Sequence, residues 1–141
     1  TGPAIPAHEQ MAVLKDEGVD APAWIWAHAQ NEKDNHAHKR AAEAGAWIAF
    51  DGVKADKKRM ARDLRHLTAM KEYGLLDHVL LSHDAGWYRP GEPGGGTFRP
   101  FTDLFETFLP ALKDHGFTQN EIDLMTLENP KRAFAIGVRA V

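Results

Sequence analysis

Residues 78–87, His-Val-Leu-Leu-Ser-His-Asp-Ala-Gly-Trp, constrain the fold more than any other stretch of the chain. An apolar run with no alternating polar face stops at a carboxylate, Asp84, and is followed by a glycine and an aromatic. Strict alternation marks a strand with one wet face, and its absence suits a strand covered on both sides, as in a parallel sheet. An acid directly behind such a run lies at the mouth of an α/β fold, where the loops collect functional groups. The plan occurs twice more: residues 23–28 end in His28, and residues 46–50 run into Asp51-Gly52.

Helical patterns fill the intervals. Residues 6–17 have Pro6 in a first turn and Gly18 as a stop, and residues 35–44 follow Asp34 or Asn35 as cap and end at Gly45. Residues 56–73 carry Met60, Leu64, Leu67 and Met70 at spacings of three and four, with Asp56 as cap and Gly74 as stop. Residues 85–100 are rich in proline and glycine yet hold Trp87, Tyr88 and Phe98, which predicts a long ordered loop. A helix over 101–115 follows, with Leu104, Phe105, Phe108 and Leu112 on one side and a kink or break at Pro110. Thr118 to Glu121 read as a capping box. Asn129-Pro130 predicts a last helix with Asn129 as its cap. Strands alternating with helices imply a parallel sheet whose strand ends share one face, so His28, Asp51 and Asp84 should converge. Three strands leave two open edges, so further strands are expected on another chain or in a preceding segment.

The 141 residues suit a single domain, and a net charge of -3 gives no footprint for nucleic acid. No apolar run approaches the roughly 20 residues that span a bilayer. No leader pattern is visible, which favours a cytoplasmic location, although a start at Thr1 without a methionine reads as part of a longer chain. The absence of cysteine excludes disulfides and thiolate metal sites.

Two residues are the main chemical candidates. His28 is either a structural histidine or a metal ligand, and a strand-end imidazole near a strand-end carboxylate is the donor set of an open catalytic metal site. Asp84 needs a partner, either a cap or arginine, or a metal ion beside which it takes a proton from water. His83 points to the opposite face from Asp84 and is read as packing or as support for a ligand. Asp51 either bonds to nearby backbone or holds a ligand in place. Glu32 and Asp34 are expected to be solvated, with Gln30 or Asn31 the residues of that loop nearest a substrate. Trp87, Tyr88 and Arg89 pack the long loop, line a substrate pocket, or do both. Gly94 to Gly96 lack the pattern of a phosphate cradle and imply loop flexibility. His36, His38, His66 and His115 fall on helices and are expected to be exposed.

Together, Ala-His28, Ile-Ala-Phe-Asp51, Leu-Ser-His-Asp84 and Glu128-Asn129-Pro130-Lys131-Arg132-Ala133-Phe134 resemble the C-terminal portion of the phosphotriesterase family of the amidohydrolase superfamily. The resemblance covers nearly the whole chain in order. It implies one partial α/β domain over 1–141, containing about strands 6–8 of a (β/α)8 TIM barrel. It implies a site of two divalent metals, commonly zinc, bridged by hydroxide, in which His28 is similar to the sixth-strand ligand. Asp84 is similar to the eighth-strand ligand that also accepts the proton. The implied substrates are small esters, lactones or phosphoesters, and the implied full-length protein is a possible homodimer. Gly52 stands where some relatives place a proton-relay histidine, so that relay is not carried over. The second reading is a non-catalytic α/β binding module in which His28 and Asp84 are structural, and the third is one piece of a split barrel completed by another chain.

Overall fold

The computed structural model describes residues 2–135. In chain order, α1 (Ala4–Asp16) precedes β1 (Ile25–Trp26), α2 (Asn35–Glu43), β2 (Trp47–Phe50), α3 (Lys57–Glu72) and β3 (Val79–Leu81). A long loop with one 3-10 turn, Pro93–Gly95, then leads to the helical C-terminal part. There a π turn, Leu104–Phe108, runs into α4 (Leu109–Asp114). Next, α5 (Gln119–Asp123) passes through a second π turn, Leu124–Glu128, into α6 (Asn129–Phe134). Among the described residues no helix is long and apolar enough to cross a membrane.

The three strands form one parallel sheet in the order β1-β2-β3. Ile25 pairs with Trp47, and Phe50 pairs with Leu81. The two-residue period sends Trp26, Ile48, Phe50, Val79 and Leu81 to the helix side, where they join Ala37, Ala41, Leu67, Met70 and Phe108 in the main core. The other face carries a smaller cluster of Trp47, Ala49 and Leu80, flanked by Ile25 and Ala133. Both faces are therefore apolar, as the unalternating runs require.

The caps follow the sequence closely. Asp34 accepts from the His36 N–H, Asp56 from the Arg59 N–H, and the Thr118–Glu121 capping box is complete. Glu32, expected in solvent, instead accepts from the N–H groups of Ala4, Lys33 and Asp34 and so ties α1 to the loop after β1. These backbone donors, Asp34 foremost, hold its carboxyl below the usual range. β1 is shorter than the predicted 23–28, because Ala21–Ala23 form a 3-10 turn and His28 leaves extended geometry.

Three other expectations are corrected. Proline removes an N–H and its ring crowds the carbonyl four residues back. Pro110 and Pro130 are each accordingly preceded by a π turn, so the helix expected over 101–115 falls into a π turn and a short α-helix. The wider turn shifts the helical phase and leaves Phe105 61% exposed, away from Leu104 and Phe108. Asn129 is not a cap but lies inside a continuous helical path, fully buried, where its Nδ2 donates to Leu76 O and Val79 O. His38 and His66 are buried, unlike His36 and His115, because their helix faces turn toward the sheet. His38 Nε2 donates to Ala29 O at 2.8 Å, and His66 Nδ1 donates to Asn35 Oδ1 at 2.7 Å.

Asn129→Ala removes both of these bonds, leaving Leu76 O only the Val79 N–H and Val79 O without its side-chain donor, and unfolding in denaturant should show a loss of about 1–3 kcal/mol. Burial, then the charges of His38, Arg62 and Arg65, push the His66 imidazole down from 6.5 to about 4. Folding therefore favours the neutral ring. The unfolded chain takes up the proton first as the medium is acidified, so stability is lost as pH falls from about 6.5 toward 4. Urea midpoints measured across that window should fall, and His66→Gln should flatten part of the fall.

Candidate active site at the strand ends

The C-terminal ends of β1, β2 and β3 open onto a cavity of about 540 Å³ whose walls include His28, Gln30, Lys54, Asp84, Trp87 and Arg99. Among the described residues only two non-glycine residues have positive φ, His28 at 57° and Asp84 at 45°. Left-handed geometry is unusual outside glycine, although Asp and His are among the residues that tolerate it best. Such strain persists where the surroundings enforce it, and it concentrates at functional sites. Here it turns each residue out of its strand line and into the shared cavity wall.

The surroundings that enforce it can be named. Asp51, at the end of β2, accepts at Oδ2 from the His28 backbone N–H and at Oδ1 from His28 Nδ1, both at 2.9 Å. The Gln30 Nε2 donates to the same carboxylate at 2.8 Å, and Gln30 Oε1 accepts from the Asp51 N–H at 3.1 Å. Gln30 is buried in the turn Ala29–Asn31, which His38 fixes from α2 through the Ala29 carbonyl. A Cβ on Gly52 would lie 2.6 Å from Gln30 Nε2, so glycine is needed there for the amide to reach Asp51. With Nδ1 donating to Asp51, the lone pair of His28 rests on Nε2, which is the form of imidazole that binds a metal. The side chain is 47% exposed.

Asp84 is held through its backbone. Arg99 Nη2 donates to the carbonyls of His83 and Asp84, while Nη1 donates to Val53 O at 2.8 Å. One guanidinium thus joins the loops that follow β2 and β3. Trp87 Nε1 donates to Asp84 O at 3.0 Å. The Asp84 carboxylate itself forms no hydrogen bond or ion pair among the described residues, and the residue lines the cavity.

Of the other sequence candidates, Trp87 and Arg89 line the cavity and Tyr88 does not. Tyr88 lies over Gly95, where a Cβ would come within 2.3 Å of its ring, and Gly95 O accepts from the Arg89 N–H. The glycine run therefore packs the loop rather than loosening it. His83 faces Phe101 at 5.3 Å, away from the cavity, and its Nδ1 is buried without a partner. Asp51 stands behind His28 and does not line the cavity. Asn31 does line it, whereas Gln30 contributes chiefly by clamping Asp51. The parts played by His38 and Arg99 have no signal in the sequence, since each acts on a backbone carbonyl brought near by folding.

As donors, His28 and Asp84 fit a divalent metal: one has a free imidazole nitrogen of fixed tautomer, the other an unpaired carboxylate. Among the described residues no group of three or more His, Cys, Asp or Glu could hold a metal ion.

A parallel sheet backed by helices, with its polar groups at the C-terminal strand ends, is the arrangement of a (β/α)8 barrel segment. A model of the phosphotriesterase family matches residues 2–134. The chain belongs to the phosphotriesterase family. It is 31% identical over 131 residues to a phosphotriesterase homology protein of Escherichia coli (strain K12), covering 89% of this chain and 43% of that protein. It is 28% identical over 153 residues to a phospho-furanose lactonase of Mycoplasmopsis synoviae (strain 53), covering 96% of this chain and 42% of the relative. A crystal structure of the Escherichia coli phosphotriesterase homology protein, with phosphate in its active site, superposes with a TM-score of 0.78 at 27% identity. That match covers 92% of this chain and 44% of the other. The chain spans about two-fifths of the length of these relatives.

If Asp84 is held left-handed against its own preference, glycine should relieve the backbone better than alanine. Asp84→Gly should be more stable than Asp84→Ala by about 1 kcal/mol, read from denaturant unfolding of the two variants. Equal stability would mean that the backbone there is unstrained.

Proposed function

We propose that the chain forms the sixth to eighth strand segments of a metal-dependent hydrolase acting on small esters, lactones or phosphoesters. The observation that carries this reading is that the two strained non-glycine residues, His28 and Asp84, line one cavity at the strand ends of a phosphotriesterase-family chain. Zinc is the metal that the resemblance implies. A divalent metal at such a site supplies hydroxide from water near neutral pH and polarises the oxygen at the centre under attack.

The chain's own residues account for the rest. His28 presents Nε2 as a ligand, held in register by Asp51 and Gln30. Asp84 presents two free oxygens, one as ligand and one as acceptor for the proton that water gives up. That proton can then pass to the leaving group from the same oxygen. Trp87 and Arg89 bound the side of the cavity on which the substrate's variable part rests. The part of the family domain that this chain does not span would bring the remaining ligands.

In the polypeptide that carries the complete family domain, His28→Ala and Asp84→Asn should each reduce bound metal and lower kcat/KM for a lactone or aryl phosphoester by at least about 100-fold. Metal analysis with steady-state kinetics checks this. Unchanged metal content in both variants would favour a binding module in which these residues are structural. The 141-residue chain alone should bind zinc weakly and show no turnover.

A further inference from the structure

The β2 strand outruns its neighbour. Pairing with β1 stops at Trp26 and Ile48, whereas β3 accompanies β2 as far as Phe50. The Trp47 N–H donates to Trp24 O on the β1 side, and the two-residue period points the Asp51 N–H the same way. Among the described residues no main-chain carbonyl accepts it there, because His28 has turned out of the strand line with φ 57°.

The Gln30 carboxamide takes that place. Its Oε1 accepts from the Asp51 N–H at 3.1 Å while its Nε2 donates to Asp51 Oδ1 at 2.8 Å. One planar group thus holds both the backbone and the side chain of the residue that orients His28. The turn that carries Gln30 is itself fixed, since Ala29 O accepts from His38 Nε2 and from the Glu32 N–H. Gln30 is 7% exposed, so its two bonds are shielded from competing water.

Position 52 carries the counterpart. Gly52 is not among the glycines with positive φ, so its backbone would accept a side chain. The three atoms nearest a Cβ there all belong to Gln30, with Nε2 at 2.6 Å, Cδ at 3.2 Å and Cγ at 3.5 Å. One neighbour, the carboxamide that passes over it, therefore explains the glycine.

We propose that Gln30 is a positioning residue for the His28 imidazole, standing in for a rung of the sheet that β1 does not supply and requiring Gly52 to do so. The bonds between Asp51 and His28 fix those two side chains only to each other. Gln30 fixes the pair to the turn after β1, and it holds Asp51 Oδ1 where it keeps the imidazole proton on Nδ1. The task of His28 as a ligand rests on the hydrolase reading above, whereas its tautomer can be read without that reading.

The test uses the polypeptide that carries the complete family domain. Nitrogen NMR of labelled histidine in the metal-free protein reads the tautomer, with His28 assigned by its loss in His28→Ala. Competition with a chromophoric chelator reads the affinity for zinc. Wild-type His28 should carry its proton on Nδ1. Gln30→Glu keeps the chain length and the acceptor oxygen but loses the donor, and it should mix the tautomers and weaken zinc by at least about tenfold. Gly52→Ala should do the same, because the added carbon displaces the amide. In a Gln30→Ala background, Gly52→Ala should change zinc affinity by less than about twofold, the non-additivity of a contacting pair. Circular dichroism shows whether each variant is folded, and Gln30→Met, which also lacks the donor, replaces Gln30→Glu with the same expectation if the latter is not. A donor-less variant with the wild-type tautomer and zinc affinity overturns the proposal. So does a Gly52→Ala penalty that is equal in the two backgrounds. If the wild-type protein binds no zinc, the hydrolase reading fails, and the His28 tautomers of the same variants alone support or overturn the positioning role.

Discussion

The Asp51 carboxylate is the joint on which the candidate site depends. It stands at the end of β2 and takes three donors, two from His28 and one from Gln30. Those bonds cross from one strand end to the next, so two loops that share no regular pairing are fixed in relation to each other. They also hold His28 in a left-handed backbone and settle which ring nitrogen faces the cavity. A half-buried carboxylate with three donors is a rigid element, because each bond lost would leave a polar group unpaired in a partly dry setting.

Arg99 performs the corresponding task at the other side of the cleft. From the far end of the long loop it binds the carbonyls of Val53, His83 and Asp84. The loop is thereby tied back over the ends of β2 and β3, and Tyr88 over Gly95 compacts it further. Asp84 is held by its main chain while its carboxylate stays without a protein partner among the described residues. The two clamps differ in kind, carboxylate to N–H on one side and guanidinium to carbonyl on the other, yet both leave a strained residue facing the same space.

The helices behind the sheet are not a passive backing. His38 reaches from α2 to the turn that carries Gln30, and His66 on α3 bonds to Asn35 in the first turn of α2. The Phe50 ring stacks on His66 and meets His38 edge-on, so the two histidines are part of the core under β2. Sequence reasoning placed both on solvent-facing helix surfaces. The error has a clear source: α2 and α3 contain many polar residues, and periodicity does not say which polar residue will find a backbone partner once buried. Asn129 misled for the same reason, since Asn before proline is a good cap until a preceding π turn continues the helix through it.

What the amino-acid sequence determined by itself was the order of elements, the parallel sheet, the caps of α2, α3 and α5 and the three strand ends. These follow from short-range rules: apolar runs without alternation, cap residues at fixed offsets and glycines where helices stop. The same local signals located His28, Asp51 and Asp84 as the residues most apt for chemistry. Only the tertiary structure decided their relations. It set Asp51 behind His28, left the Asp84 carboxylate without a protein partner among the described residues and brought Arg99 back across a long loop. Each of those outcomes depends on contacts between residues far apart in the chain, and the geometry of such contacts is fixed only when the core has packed.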